Sequence, residues 1–178
     1  MFRAVLLALS CMAVAPAAAN AQQPLRGLPD LFAAGDPSAE YVGRVAMADM
    51  FKIETSKSAL RRSPSPGVRR FAQQVLDEHG WLSAQLLQSL EGRPSPPALP
   101  VKLDRPHKRL LAELNAAPRA EFDRLYIRFQ VKATEEVLAE HTRYAVTGPD
   151  RDLKLLAETA KPVIQTHLNE LRALAPAR

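Results

Sequence analysis

The sequence predicts an all-α bundle of four main helices plus one additional short helix. Apolar residues recur at gaps of three and four along every long segment, and no alternating strand pattern occurs anywhere. Proline and glycine clusters punctuate the chain where each run stops: Ser63-Pro64-Ser65-Pro66-Gly67, Gly92–Pro100, Ala117-Pro118 and Gly148-Pro149. The length left after a short N-terminal address is that of one domain, enough to bury a real core.

That address comes first. Met1-Phe2-Arg3 is a positively charged start, Ala4–Ala15 is an apolar run, and Ala19-Asn20-Ala21 offers the small-x-small pattern of signal peptidase. Residues 1–21 therefore read as a cleavable signal peptide cut after Ala21, and the expected location is the periplasm. The apolar run falls well short of the roughly 20 residues a membrane-spanning helix needs. Cleavage removes Cys11, the single cysteine of the chain, so disulfide, thiolate and thiolate-metal chemistry are all excluded from the mature protein. The formal charge of +5 drops to +4 with the loss of Arg3. A pI near 9.7 would suit nucleic acid, but an exported address argues against that partner.

Residues 22–35 form a Pro- and Gly-containing flexible lead-in, and 36–175 a single helical-bundle domain. Asp36-Pro37-Ser38 opens the first helix with a capping acid and a proline suited to the first turn. Val42, Val45, Ala46, Met50, Ile53 and Leu60 mark its apolar side, and it runs to about Arg62. Ser65 and Pro66 start the second helix, and the turn is short enough to make the two an antiparallel hairpin. Val68, Ala72, Val75, Leu82 and Leu86 form its stripe, with His79 where a core residue belongs. Gly92 suits the left-handed end of that helix. Arg93–Leu103 carries four prolines in eleven residues and reads as an extended crossover. Asp104 caps the short helix, with Leu110, Leu111 and Leu114 inward. The next long helix runs from about Arg119 to Val146 on Phe122, Leu125, Phe129, Ala133, Val137 and Tyr144. The last, from about Asp150 to Leu174, has the cleanest seam: Leu153, Leu156, Ala160, Val163, His167, Leu171 and Leu174. Pro162 inside it should kink it.

Two histidines on two seams are the chemical feature. A buried imidazole needs a partner, and Glu54 lies close to the stripe of the first helix. Glu54, His79 and His167 are thus the candidate ligands of a single transition-metal ion, the alternative being neutral core imidazoles bonded to neighbouring helices. At about 1.5 Å per residue, Glu54 lies about 15 Å and His79 about 22 Å from the Pro64 turn. If the Gly148 turn shared that end, His167 would lie about 28 Å deep, a turn too far. No Glu-x-x-His occurs, which disfavours di-iron carboxylate chemistry. Lys57, Arg61, Arg62, Arg69 and Arg70 gather at the first turn. They read either as a solvated charged end or as a docking surface for an anionic envelope component or membrane surface. Trp81 reads as ordinary packing.

The segments ADMFKIETSKSAL, VRRFAQQVLDEH, AEFDRLYIRFQVKA and KPVIQTHLNEL resemble the exported bacterial family called domain of unknown function 4142, over roughly Ala39–Leu174. The resemblance implies a ferritin-like up-down four-helix bundle and no established activity. It places Glu54 at an acidic position of the first helix, His79 at the end of an Asp-His motif, and His167 at the end of a Pro-x-x-x-x-His segment begun by Pro162. Where members carry an Asp-His pair, this chain has Ala133-Thr134, so any shared site has lost part of its ligands. The expectation is an exported, soluble, non-enzymatic bundle with an envelope-associated or stress-related binding role and no required cofactor. The alternative is a ferritin-like metal-binding or redox protein with a degenerate mid-bundle site.

Overall fold

The computed structural model describes residues 35–175; the expected signal peptide and the lead-in up to residue 34 lie outside the described residues. Five helices follow one another: α1 (Pro37–Arg62), α2 (Pro66–Leu90), α3 (Arg105–Ala116), α4 (Arg119–Thr147) and α5 (Arg151–Leu174). No strand occurs among the described residues. The local signals work as the sequence implies. Side chains of Asp36, Ser65, Asp104 and Asp150 accept from the backbone N–H of Ser38, Val68, His107 and Leu153, satisfying donors that a helix start leaves open. Gly92 takes φ 71°, where a Cβ would be strained. α5 continues unbroken through Pro162, which sits on its exposed face.

α1 packs on α2 and α4, α5 packs on α2 and α4, and α3 lies against α1 and α4. At one end of the bundle Arg62 of α1 donates to the carbonyl oxygens of Leu114, Asn115 and Ala117, just before α4 begins. At the other end Tyr41 of α1 stacks on Tyr144 of α4 at 3.9 Å between ring centroids. There, too, Arg93, just beyond α2, pairs with Asp150, the cap of α5. Neighbouring long helices are therefore antiparallel. The crossover carries the chain back along the bundle, which is the one-long-connection plan of ferritin-like folds. This corrects one premise: the Gly148 turn lies at the opposite end from Pro64, because the crossover returns the chain before α4 starts. His167 is then reached from the C-terminal end of α5, and the apparent excess depth disappears.

The core falls into two apolar clusters. One, at the Tyr41 end, includes Val45, Leu86, Tyr144, Leu153 and Ile164. The other, at the Arg62 end, includes Phe51, Phe71, Phe122, Tyr126 and Leu171. Full burial of such side chains contributes roughly 1.5–3 kcal/mol each before entropy is counted. In all four long helices, side chains that are not hydrocarbon fill the gap between the clusters. α1 shows the cause best. Its buried line runs Val45, Asp49, Lys52, Ser56, Ala59, while Ala46, Met50, Ile53 and Leu60 are only partly buried. The inward face of α1 is thus rotated from the one its aliphatic residues mark.

Candidate functional site

The gap between the two clusters holds Asp49 and Lys52 from α1, His79 from α2, Thr134 from α4 and His167 from α5. Lys52, His79, Thr134 and His167 are 0 % exposed, and Asp49 is 3 % exposed. Helical register puts them there: His79 follows Val75 and precedes Leu82, and His167 sits between Ile164 and Leu171, all core positions.

Each imidazole is held by a carboxylate. His79 Nδ1 lies 2.7 Å from Asp49 Oδ1, whose other oxygen accepts from Ser83 Oγ at 3.3 Å. His167 Nε2 lies 2.5 Å from Glu78 Oε2, and the two rings are 5.2 Å apart between centroids. Burial, then the neighbouring Lys52, push His79 below its ordinary range against the opposing pull of Asp49. Burial first, then Lys52 and His79, push His167 down to about 3. Both rings are therefore neutral near pH 7. Since a carboxylate only accepts, His79 carries its proton on Nδ1 and His167 on Nε2. That leaves lone pairs on His79 Nε2 and His167 Nδ1, both buried without a hydrogen-bond partner.

Lys52 completes the centre. Its Nζ donates to Thr134 Oγ1 at 2.8 Å. Burial pulls the ammonium down to about 7 against the attraction of Asp49 and Glu78. Below it, Gln130 Nε2 donates to the Lys52 carbonyl and to Thr55 Oγ1, tying α4 to α1. Nearer the Tyr41 end, His141 Nδ1 meets the Tyr41 hydroxyl at 2.9 Å, and burial holds this imidazole down at about 4.

Of the three expected ligands, the structure brings together His79 and His167 and leaves Glu54 out. Glu54 follows Lys52 by two residues, about 200° round the helix, and its partly exposed carboxylate pairs with Lys57 at 2.7 Å. The acids that reach the imidazoles are Asp49, one turn earlier, and Glu78. Glu78 does diverge from its neighbour His79, as helix geometry requires, and goes instead to the histidine of α5. Asp49 and Lys52 extend the Val45 line by gaps of four and three, which is the signal that could have found them. Among the described residues no group of three or more His, Cys, Asp or Glu side chains converges as a metal-ligand set. The two carboxylates of the centre are engaged by imidazole N–H groups, and Lys52 of the same layer is bonded to Thr134.

The basic residues of the first turn divide. Arg62 caps the end of α3 and lies 4.8 Å from the Phe122 ring centroid. Arg69 donates to the Ser63 carbonyl at 2.7 Å, so a cation at the start of α2 serves the negative end of α1. Lys57 pairs with Glu54, and Arg61 reaches Ser58 Oγ at 3.2 Å. Arg61 and Arg70 are exposed. Trp81 is 48 % exposed, which corrects its reading as ordinary packing.

Open clefts lie elsewhere. One of about 590 Å³ runs between the end of α2 and the start of α5, past Gln85, Arg93, Asp150 and Leu155. Another of about 460 Å³, beside α1 and α4, is lined by Arg44, His107 and Glu140 among others. Neither is lined by Lys52, His79, Thr134 or His167.

The family model described as Domain of unknown function (DUF4142) matches residues 31–174, and the chain belongs to that family. No curated protein and no solved structure matches it.

Proposed function

We propose that this member of the family is an exported, non-enzymatic helical-bundle protein that acts through its outer surface, at an anionic component of the bacterial envelope. The observation that carries the reading is the burial of the imidazoles and Lys52 in the central polar layer, which meets solvent only through the half-exposed Glu78. A reacting group must be reachable by substrate, and the imidazoles and Lys52 are wholly buried while the open clefts pass them by. Chemistry at that layer therefore serves the bundle rather than a substrate. No described helix is long and apolar enough to cross a membrane, so contact with the envelope would be made from outside the bilayer.

The surface that fits is the α1–α2 end. Arg62 and Arg69 are committed to backbone carbonyls, and Arg61 and Arg70 are left exposed beside them on a chain whose net charge stays positive, +5 less Arg3, after cleavage. A basic residue close to an anionic bilayer contributes about 1 kcal/mol, so two contribute roughly a 30-fold gain in binding. The competing reading, a metal or redox centre on Glu54, His79 and His167, has lost Glu54 to the surface and faces the Lys52 ammonium.

The test uses the mature chain, residues 22–178, purified without an affinity tag, and vesicles of either phosphatidylglycerol-rich or purely zwitterionic composition. Binding to the anionic vesicles alone, weakening with salt and falling roughly 30-fold in Arg61→Ser/Arg70→Ser, supports the proposal. Equal binding to both compositions, no binding to either, or indifference to the substitutions refutes it. Cell fractionation with N-terminal sequencing, expected to begin at Gln22, tests the address.

A further inference from the structure

The outer face of α3 and the bend before it carry one sign of charge. Lys102, Arg105, Lys108 and Arg109 fall within eight consecutive positions, and all four are exposed. In helical register Arg105, Lys108 and Arg109 share an arc of roughly 100°. Leu110, Leu111 and Leu114 lie opposite and pack into the bundle. None of the ion pairs among the described residues uses any of the four cations. The acids closest to them in the chain are engaged: Asp104 caps α3 and meets His107, and Glu113 reaches Arg128 at 3.6 Å. On α4, by contrast, Arg124, Lys132 and Arg143 each face a glutamate three or four residues away. The helix dipole disfavours cations in a first turn, so Arg105 and Lys108 are not there to steady α3.

A hydrophobic side chain stands beside them. Val101 is 92 % exposed, at a bend of the chain that it shares with Lys102. The residues two before and two after it turn inward: Leu99 packs on one core cluster, and Leu103 is buried in the other. Two anchors thus hold the tip of the bend outward. Single exposed aliphatics are common, but this one adjoins four cations that no acid holds. A soluble polyanion would use the cations and gain nothing from Val101. The boundary of an anionic bilayer offers phosphates to the cations and a place out of water to the valine.

We propose that Val101 and the outer face of α3 form a docking surface for an anionic lipid bilayer. Lys102, Arg105, Lys108 and Arg109 meet lipid phosphates, and Val101 sits among the headgroups. The contact is peripheral, because the leucines of α3 pack into the bundle and leave only its cations and one valine for the lipid. The inference rests on the reading that the partner is an anionic envelope component, and it places the contact on a surface distinct from Arg61 and Arg70.

The experiment uses the mature chain with phosphatidylglycerol-rich vesicles, zwitterionic vesicles and, separately, soluble polyphosphate. Native protein is compared with the quadruple variant Lys102→Ser/Arg105→Ser/Lys108→Ser/Arg109→Ser and with Arg61→Ser/Arg70→Ser. At about five-fold per cation, the quadruple variant should bind anionic vesicles at least about 100-fold more weakly than native. The chain left after cleavage has no cysteine, so Val101→Cys accepts a single environment-sensitive fluorophore. Its emission should shift to the blue on anionic vesicles, while the same label on Thr159→Cys of α5 stays unchanged. Anionic-vesicle binding that survives the quadruple substitution overturns the proposal, as does a Val101 label that still reports water in the bound state. Polyphosphate binding that the quadruple variant loses, without vesicle binding by the native chain, also overturns it and assigns the surface to a soluble polyanion. Vesicle binding lost in the quadruple variant but kept in Arg61→Ser/Arg70→Ser supports the α3 surface and refutes the contact at the α1–α2 end; the reverse pattern does the opposite. No binding of the native chain to either vesicle overturns both.

Discussion

Lys52→Met isolates the cost of holding a charge at the centre of this bundle. Methionine matches the lysine stem in length and adapts to irregular space, so the main losses are the ammonium and its bond to Thr134. The ammonium titrates at about 7 in the fold against an ordinary 10.5. Below pH 7 the lysine is protonated in both the folded and unfolded states, and its charge opposes folding by roughly 5 kcal/mol at about 1.36 kcal/mol per pH unit. Between pH 7 and 10.5 the unfolded chain holds a proton that the folded chain has released, so native stability rises with pH across that window. Leaving Thr134 without its donor costs about 2 kcal/mol at every pH. The variant should therefore be more stable than native by about 3 kcal/mol at pH 6, equal to it near pH ~9, and less stable by about 1 kcal/mol at pH 10. Urea unfolding of both chains at these pH values reads the difference directly. A variant that is less stable than native at pH 6, or a difference that does not change with pH, would refute the reasoning and mean that the ammonium is fully compensated in place.

Two further outcomes follow from the same layer. His141 and His167, at about 4 and 3 in the fold against an ordinary 6.5, stay neutral while the unfolded chain takes up protons. The unfolded state then binds more protons below pH 6.5, so stability should fall on acidification, by about 4 kcal/mol for the two between pH 7 and 5. A urea midpoint that stays constant over this range would contradict the neutral assignment. His79→Leu should destabilise the chain by roughly 3–5 kcal/mol, since buried Asp49 is left with Ser83 as its one remaining hydrogen-bond donor; a neutral or stabilising effect in thermal unfolding would show that the imidazole merely fills space.

Helix limits, caps and turns were legible because they depend on neighbours a few residues away. Asp36, Ser65, Asp104 and Asp150 cap the helices that they precede in the chain. The inward placement of His79 and His167 was legible for a related reason: each interrupts an aliphatic seam, and a seam has one direction to face. Asp49 and Lys52 sit on an equally regular line, but a carboxylate and an ammonium read as a solvated face until the partners across the bundle are known. Glu54 drew attention by proximity to the aliphatic residues of α1, although rotation of that helix about its axis turns it outward.

What the chain determined by itself was everything set by local periodicity and chain stiffness: five helices, their ends, and two imidazoles turned inward. Only the tertiary structure decided which end of the bundle the Gly148 turn occupies, that Glu78 of α2 serves the histidine of α5, that Arg62 and Arg69 close helix ends, and that a lysine fills the centre. Those relations join residues that are separated along the chain, by 89 positions for Glu78 and His167, and packing alone brings such groups within the few ångströms over which hydrogen bonds and charges act.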